Sequence, residues 1–202
     1  MQPGNQAWAL RVGRALLAVG IFFSALGCDM AGWVRGDYLA QRFGWMGSAY
    51  TVSYEDEGLW IRSLLLSKRD YPCETLAAME YAAQDDYSED DETLVEQILF
   101  QMVSLDGPLL EGGDMVIAND LESLSVHTPV SMAQARVRFG TGYELVSATL
   151  GTSGTLSWDE ERDGVIHGEF AFESPGGPFS GWFNAVACPA LVPPDLNTLE
   201  AR

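Results

Sequence analysis

"SGTLSWDEERDGVIHGEFAF", residues 153–172, carries the clearest structural signal in the chain. Leu156 and Trp158 alternate with Thr155 and Ser157, and Ile166, Phe170 and Phe172 alternate with His167, Glu169 and Glu173. Successive side chains of a strand leave opposite faces, so a period of two marks two strands, each with one buried side. The polar "DEERDG" between them ends in Asp163-Gly164, a pair suited to a tight turn. The stretch therefore reads as a hairpin. A second turn, "SPGGP" (174–178), leads into "FSGWFNAVAC" (179–188) and extends it to a three-stranded antiparallel meander.

The same period runs back toward the amino terminus. "AYTVSY" (49–54) and "GLWIRSLLL" (58–66) read as another hairpin around the acidic turn "EDEG". Pieces at 114–118, 121–127, 133–139 and 143–150 are alternating or β-branched and are bounded by Gly, Asn or Pro. "TLVEQILFQMV" (93–103) fits two periods. Leu94, Val95, Ile98, Leu99, Met102 and Val103 make a helical stripe, whereas Ile98, Phe100 and Met102 make one face of a strand. The β character of the rest favours a strand from Ile98 on. "PCETLAAMEYAAQ" (72–84) differs: Pro72 stands near its start, good helix formers follow, and Leu76, Met79, Ala82 and Ala83 share a face, so it reads as a short helix. Residues 29–48 scatter Gly and aromatics with no clean period, and 28–48 reads as a tether. The expected fold is thus mainly β, an antiparallel β-sandwich or barrel-like domain with one short helix over residues 49–202.

At 47% apolar and 20% charged, a chain of 202 residues can bury a core. Its charge is lopsided. Arg11 and Arg14 are the only charged residues before Cys28, so a net −18 over the whole chain becomes −20 beyond that point. A surface of that sign repels phosphate backbones, which argues against a nucleic-acid partner.

Residues 1–14 hold two arginines and no acid, and "ALLAVGIFFSALG" (15–27) is uncharged, mostly apolar and ends in small residues. A membrane span needs about 20 apolar residues, so this run is short for one and reads as a cleaved secretory signal, residues 1–27. "Ala25-Leu26-Gly27-Cys28" resembles a bacterial lipobox, with Ala25 where that pattern prefers Leu. The resemblance implies cleavage before Cys28 and lipidation of that residue, hence a stable membrane anchor of two or three chains. Asp29 resembles the inner-membrane retention signal of enteric bacteria, a rule that other bacteria do not share, so inner and outer membrane both stay open.

If Cys28 carries lipid, Cys73 and Cys188 remain as an even pair in an oxidising compartment, to be satisfied by a disulfide or as two buried thiols. The meander carries a further resemblance. Gly154-Thr155, Gly168-Glu169-Phe170, Gly181-Trp182-Phe183 and Cys188 are similar to a pattern in uncharacterised lipoproteins of Gram-negative bacteria. It implies a β-rich fold and no particular activity.

Chemistry is thinly signalled. His127 and His167 are the two histidines; His167 shares the outward face with Glu169, and His127 precedes Thr128-Pro129, where a strand should stop. There is no Gly-x-Ser-x-Gly elbow. Twenty-nine acids leave room for a carboxylate-pair hydrolase, a pattern with little specificity in sequence. Asp85, Asp86, Glu89, Asp90, Asp91 and Glu92 offer the oxygens that calcium takes, without the order or the glycine of an EF-hand. Trp158 and Trp182 would make a carbohydrate-stacking platform if aromatics faced outward together, and Trp182, in parity with Ser180 and Asn184, is the one expected outside. The expectation is a lipid-anchored, periplasm- or exterior-facing envelope protein of a Gram-negative bacterium, a binding or structural module with an envelope protein or glycan as partner. Its alternatives are an exported hydrolase using two carboxylates and a calcium-stabilised adhesion or assembly protein.

Overall fold

The structure is a computed structural model that describes residues 30–81, 94–109, 112–119, 124–125, 128–139 and 145–193. The unit from Ala31 onward contains eleven strands: β1 Gly32–Tyr38, β2 Gln41–Met46, β3 Ser48–Asp56, β4 Leu59–Ser67, β5 Leu94–Ser104, β6 Gly113–Ile117, β7 Val130–Phe139, β8 Leu145–Leu150, β9 Ser153–Trp158, β10 Val165–Glu173 and β11 Phe179–Ala187. Among the described residues one α-helix, α1, spans Cys73–Tyr81, and a 3-10 turn covers Pro189–Leu191. Eight strands close on themselves in the order β10-β9-β6-β7-β5-β4-β3-β11 and back to β10. The fold is a barrel, not two stacked sheets. β1 and β2 continue from β11, and β8 continues from β7.

The tether expected over 28–48 is corrected: its residues 32–46 form β1 and β2, whose Val34, Phe43 and Met46 are in the core. The periodicity is hidden there because Trp33 and Trp45 face outward. The turn between these strands is concealed too. Leu39 and Ala40 both take positive φ in a two-residue loop, with none of the Gly, Asn or Asp that usually signals it. Two pairings also depart from an all-antiparallel sheet, since β6–β7 and β11–β3 are parallel.

Elsewhere turn chemistry sets register as expected. Glu57-Gly58 and Asp163-Gly164 take positive φ at both positions, making tight links between β3 and β4 and between β9 and β10. The meander β9-β10-β11 forms as read. In the piece 121–127, the described Ser125 makes only an isolated bridge to Thr128.

An eight-stranded barrel is just wide enough for side chains to fill. Here the filling is largely aromatic. Phe100 packs edge-on to Phe170 at 4.9 Å and to Phe172 at 6.0 Å, and Phe172 stacks on Phe179 at 5.1 Å. The Gly-x-Phe pairs explain themselves in this context. Gly168 lies opposite Phe183, and Gly181 lies opposite Phe170, so each ring covers the glycine of the next strand.

β4 and β5 are buried on both faces. Leu64, Leu66, Ile98 and Phe100 point into the barrel, while Leu65 and Leu99 point out against Leu76, Ala77 and Met79 of α1. A strand covered on both sides loses its alternation, and this is why 93–103 suggested both helix and strand. α1 is held over them by the Cys73–Cys188 disulfide, whose Cα atoms are 5.7 Å apart. Glu80 adds a second tie: both its oxygens accept from Arg136 Nη1, at 2.8 and 3.0 Å, and Oε2 also accepts from Arg138 Nη2 at 3.0 Å. Both arginines belong to β7, so α1 is fixed to three strands and to the end of β11.

Candidate ligand-binding face

Strand register places six outward side chains in one row across the barrel wall. Trp45 of β2 is opposite Trp33 of β1, and Trp33 is opposite Trp182 of β11. Trp182 is opposite Glu169 of β10, Glu169 opposite Ser157 of β9, and Ser157 opposite Asp114 of β6. Residues directly opposite share a face. Their chain neighbours Val34, Phe183, Phe170, Leu156 and Met115 all lie in the core, so the row faces out. At about 4.8 Å per strand, the row is about 24 Å long measured along the sheet.

The tryptophan end is exposed. Trp45 is 57% and Trp182 37% accessible, and Trp33 between them is half-buried. The outer rings approach to 6.4 Å with 73° between their planes, forming an aromatic corner above β1. Isolated exposed hydrophobics are ordinary, but adjoining exposed tryptophans are not.

The polar end opens into a cleft of about 430 Å³, with Asp114, Ser157, Asp159, His167, Glu169, Trp182 and Asn184 in its walls. His167 Nδ1 lies 2.7 Å from Asn184 Oδ1 and donates to it. In the neutral ring that tautomer makes Nε2 an acceptor. Among the described residues no lysine or arginine lines the cleft. The site thus offers carboxylates, an imidazole, a hydroxyl and a side-chain amide beside flat apolar rings. That combination suits a ligand with one apolar face and many hydroxyl groups.

The same geometry bears on carboxylate-pair chemistry. Asp114 and Glu169 point the same way from one sheet face, two strand spacings or about 10 Å apart. Glycoside hydrolysis uses acids that flank the scissile bond from opposite sides, whereas Asp114 and Glu169 leave one sheet face in the same direction.

Of the residues singled out in sequence, Cys73 and Cys188 are joined, and His167 and Trp182 are exposed as their parity indicated. Trp158 is core, 8% exposed, though it also lines the cleft. Cys28, His127 and the acidic run Asp85, Asp86, Glu89, Asp90, Asp91 and Glu92 lie outside the described residues. Among the described residues no group of three or more His, Cys, Asp or Glu could hold a metal ion. Trp33 and Trp45 were missed because they sit in the supposed tether. Their signal was the alternation of Trp33 and Arg35 with Val34, too short to stand out.

The other polar cluster is structural in character. Tyr81 Oη donates to the Leu191 carbonyl at 2.6 Å, and burial, with Tyr54 and Glu80 nearby, pushes its phenol far above the ordinary tyrosine range. Burial likewise raises Tyr54 and lowers Arg138. The cavity between them, about 90 Å³ and lined by Tyr54, Ser63, Gln101 and Tyr81 among others, is small beside the outer cleft.

Compared with protein families, curated proteins and solved structures, the chain matches none.

Proposed function

We propose that this chain is a lipid-anchored protein of the bacterial cell envelope whose barrel is a non-enzymatic binding module for saccharides. The observation that carries the reading is the row Trp45-Trp33-Trp182-Glu169-Ser157-Asp114, in which aromatic rings adjoin hydrogen-bonding groups on one outward face. Aromatic rings take the C–H faces of pyranoses through burial and weak C–H contacts, and the polar groups take the hydroxyls. The lipobox-like Ala25-Leu26-Gly27-Cys28 supports the anchor, and a disulfide between Cys73 and Cys188 accords with an oxidising compartment.

Two other uses of exposed tryptophans fit less well. A membrane-inserted barrel turns an apolar band outward, whereas β9 and β10 turn Ser153, Thr155, Ser157, His167, Glu169 and Glu173 outward and pack their apolar residues within. Docking onto anionic headgroups is opposed by Glu169, Asp114 and the net negative charge.

The reading is tested by depletion of the protein onto insoluble polysaccharides: bacterial sacculi, chitin, chitosan and cellulose. Retention on at least one of them is expected, with at least a tenfold loss of affinity in Trp45→Ala/Trp182→Ala. Retention on none, or equal retention of the double variant, contradicts saccharide binding by this face. Intact mass tests the anchor: the membrane-extracted chain should begin at Cys28 and carry diacylglycerol plus an acyl group, and Cys28→Ser should lose both.

A further inference from the structure

We infer that the saccharide taken by this face carries a free, protonated amine, as in an oligosaccharide of unacetylated glucosamine. The inference rests on the saccharide-binding reading and narrows it to a chemical class. Both halves of the row favour a cation by independent physics. The negative faces of Trp45 and Trp182 attract an ammonium group within about 6 Å of a ring, and their 73° corner presents ring faces in two directions. Glu169 is in register with Trp182 and adjoins it on the next strand, so the two side chains leave the same face from backbones about 5 Å apart.

The cleft beyond repeats the preference. Asp114 and Asp159 share its walls with Glu169, and among the described residues no lysine or arginine lines it to neutralise them. The basic residues by register at its margins are Arg35, opposite Ser180, one outward position further along from Trp33 and Trp182, and Arg162, opposite Val165, one outward position from His167. An N-acetylated sugar would offer these carboxylates only neutral donors, its hydroxyls and one amide N–H. A protonated amine supplies a charge-assisted hydrogen bond to a carboxylate, and the pyranose to which it belongs supplies the apolar face for tryptophan. A uronic acid or a phosphosugar would bring its anion against three carboxylates, with Arg35 and Arg162 only at the margins of the face, and is disfavoured by the same charges.

The test is calorimetric titration of the lipid-free chain from residue 29 onward, purified with its disulfide intact. The probes are a glucosamine oligosaccharide, its fully N-acetylated counterpart of equal length, and tetramethylammonium chloride at matched ionic strength. Binding of the free-amine oligosaccharide at least tenfold tighter than the N-acetylated one, weakening as salt is raised, supports the inference. Glu169→Gln should then cut that ratio to below threefold. Asp114→Asn, also on the exposed face, serves as the second variant should Glu169→Gln fail to fold. Equal affinity for the two oligosaccharides overturns the inference and leaves the saccharide reading standing. Tetramethylammonium bound as tightly as the amine sugar overturns it too, since the face would then be a plain cation site. Binding of neither oligosaccharide overturns the saccharide reading and this inference with it.

Discussion

Replacing Cys73 and Cys188 together by Ala should cost this barrel about 3–5 kcal/mol. The bond joins residues 115 apart in sequence. On the chain-entropy view, a link closing a loop of that order removes about 5 kcal/mol of conformational freedom from the unfolded chain, and measured losses run about 2–5 kcal/mol. The contacts that would persist without it are local: Leu76, Ala77 and Met79 on Leu65 and Leu99, and Glu80 on Arg136 and Arg138. They hold α1 in the folded state but do nothing to restrict the unfolded one. For a domain of this size, 3–5 kcal/mol corresponds to a fall in Tm of about 6–20 °C. Urea unfolding of the oxidised chain and of the double-Ala variant, followed by tryptophan fluorescence, measures the difference as a shifted midpoint. A loss below about 1 kcal/mol would refute the reasoning, because the cross-link would then restrain a chain already restrained when unfolded.

Three further outcomes follow from packing and charge. Gly168→Ala should destabilise by about 2–3 kcal/mol or more, because its Cβ would lie 2.3 Å from Phe183 Cζ and 2.4 Å from the Ser157 carbonyl; Gly113→Ala, whose Cβ comes no nearer than 4.0 Å to anything, is the control that thermal melts should find little changed. Glu80→Ala should cost about 2–4 kcal/mol in urea unfolding, by leaving the Arg136 and Arg138 guanidiniums without the carboxylate they share, whereas loss of an exposed pair costs under about 1 kcal/mol. Tyr81 is raised above the ordinary phenol value in the folded chain, so its contribution is complete below about pH 10 and is lost as pH rises through the higher folded value. Tm should therefore fall above about pH 10, and Tyr81→Phe should make that fall shallower; an unchanged slope would contradict the assignment.

The parts of the fold legible in sequence are those whose two faces meet different surroundings. β9, β10 and β11 have Leu156, Phe170 and Phe183 inside and Ser157, Glu169 and Trp182 outside, so their alternation is plain. β5 was half legible because α1 covers its outer face and erases the contrast. β1 and β2 were illegible for the opposite reason. Their outward residues include Trp33 and Trp45, which read as core candidates in any pattern of apolar residues, and Leu39-Ala40 turns the chain without turn-forming residues. Barrel closure depends on long-range pairings such as β11 with β3, which no local pattern encodes. For the proposed ligand-binding face, Trp182 and His167 could be placed outward by parity. The row could not be assembled, since it needs the register of six strands at once. The proposed face was hidden because outward tryptophans such as Trp33 and Trp45 resemble core tryptophans in any local pattern.

The most direct measurement is a titration of the tryptophan indole signals by ¹H–¹⁵N NMR, using a partly N-acetylated glucosamine oligosaccharide. Of the six tryptophans, Trp8 precedes Cys28, so the chain beyond Cys28 shows Trp33, Trp45, Trp60, Trp158 and Trp182. Saccharide binding on the outer row should shift the Trp33, Trp45 and Trp182 signals together along one saturation curve, while Trp60 on β4 stays still. Shifts confined to Trp60, or no shift in any of the three row tryptophans at tens of millimolar oligosaccharide, would contradict a saccharide-binding face.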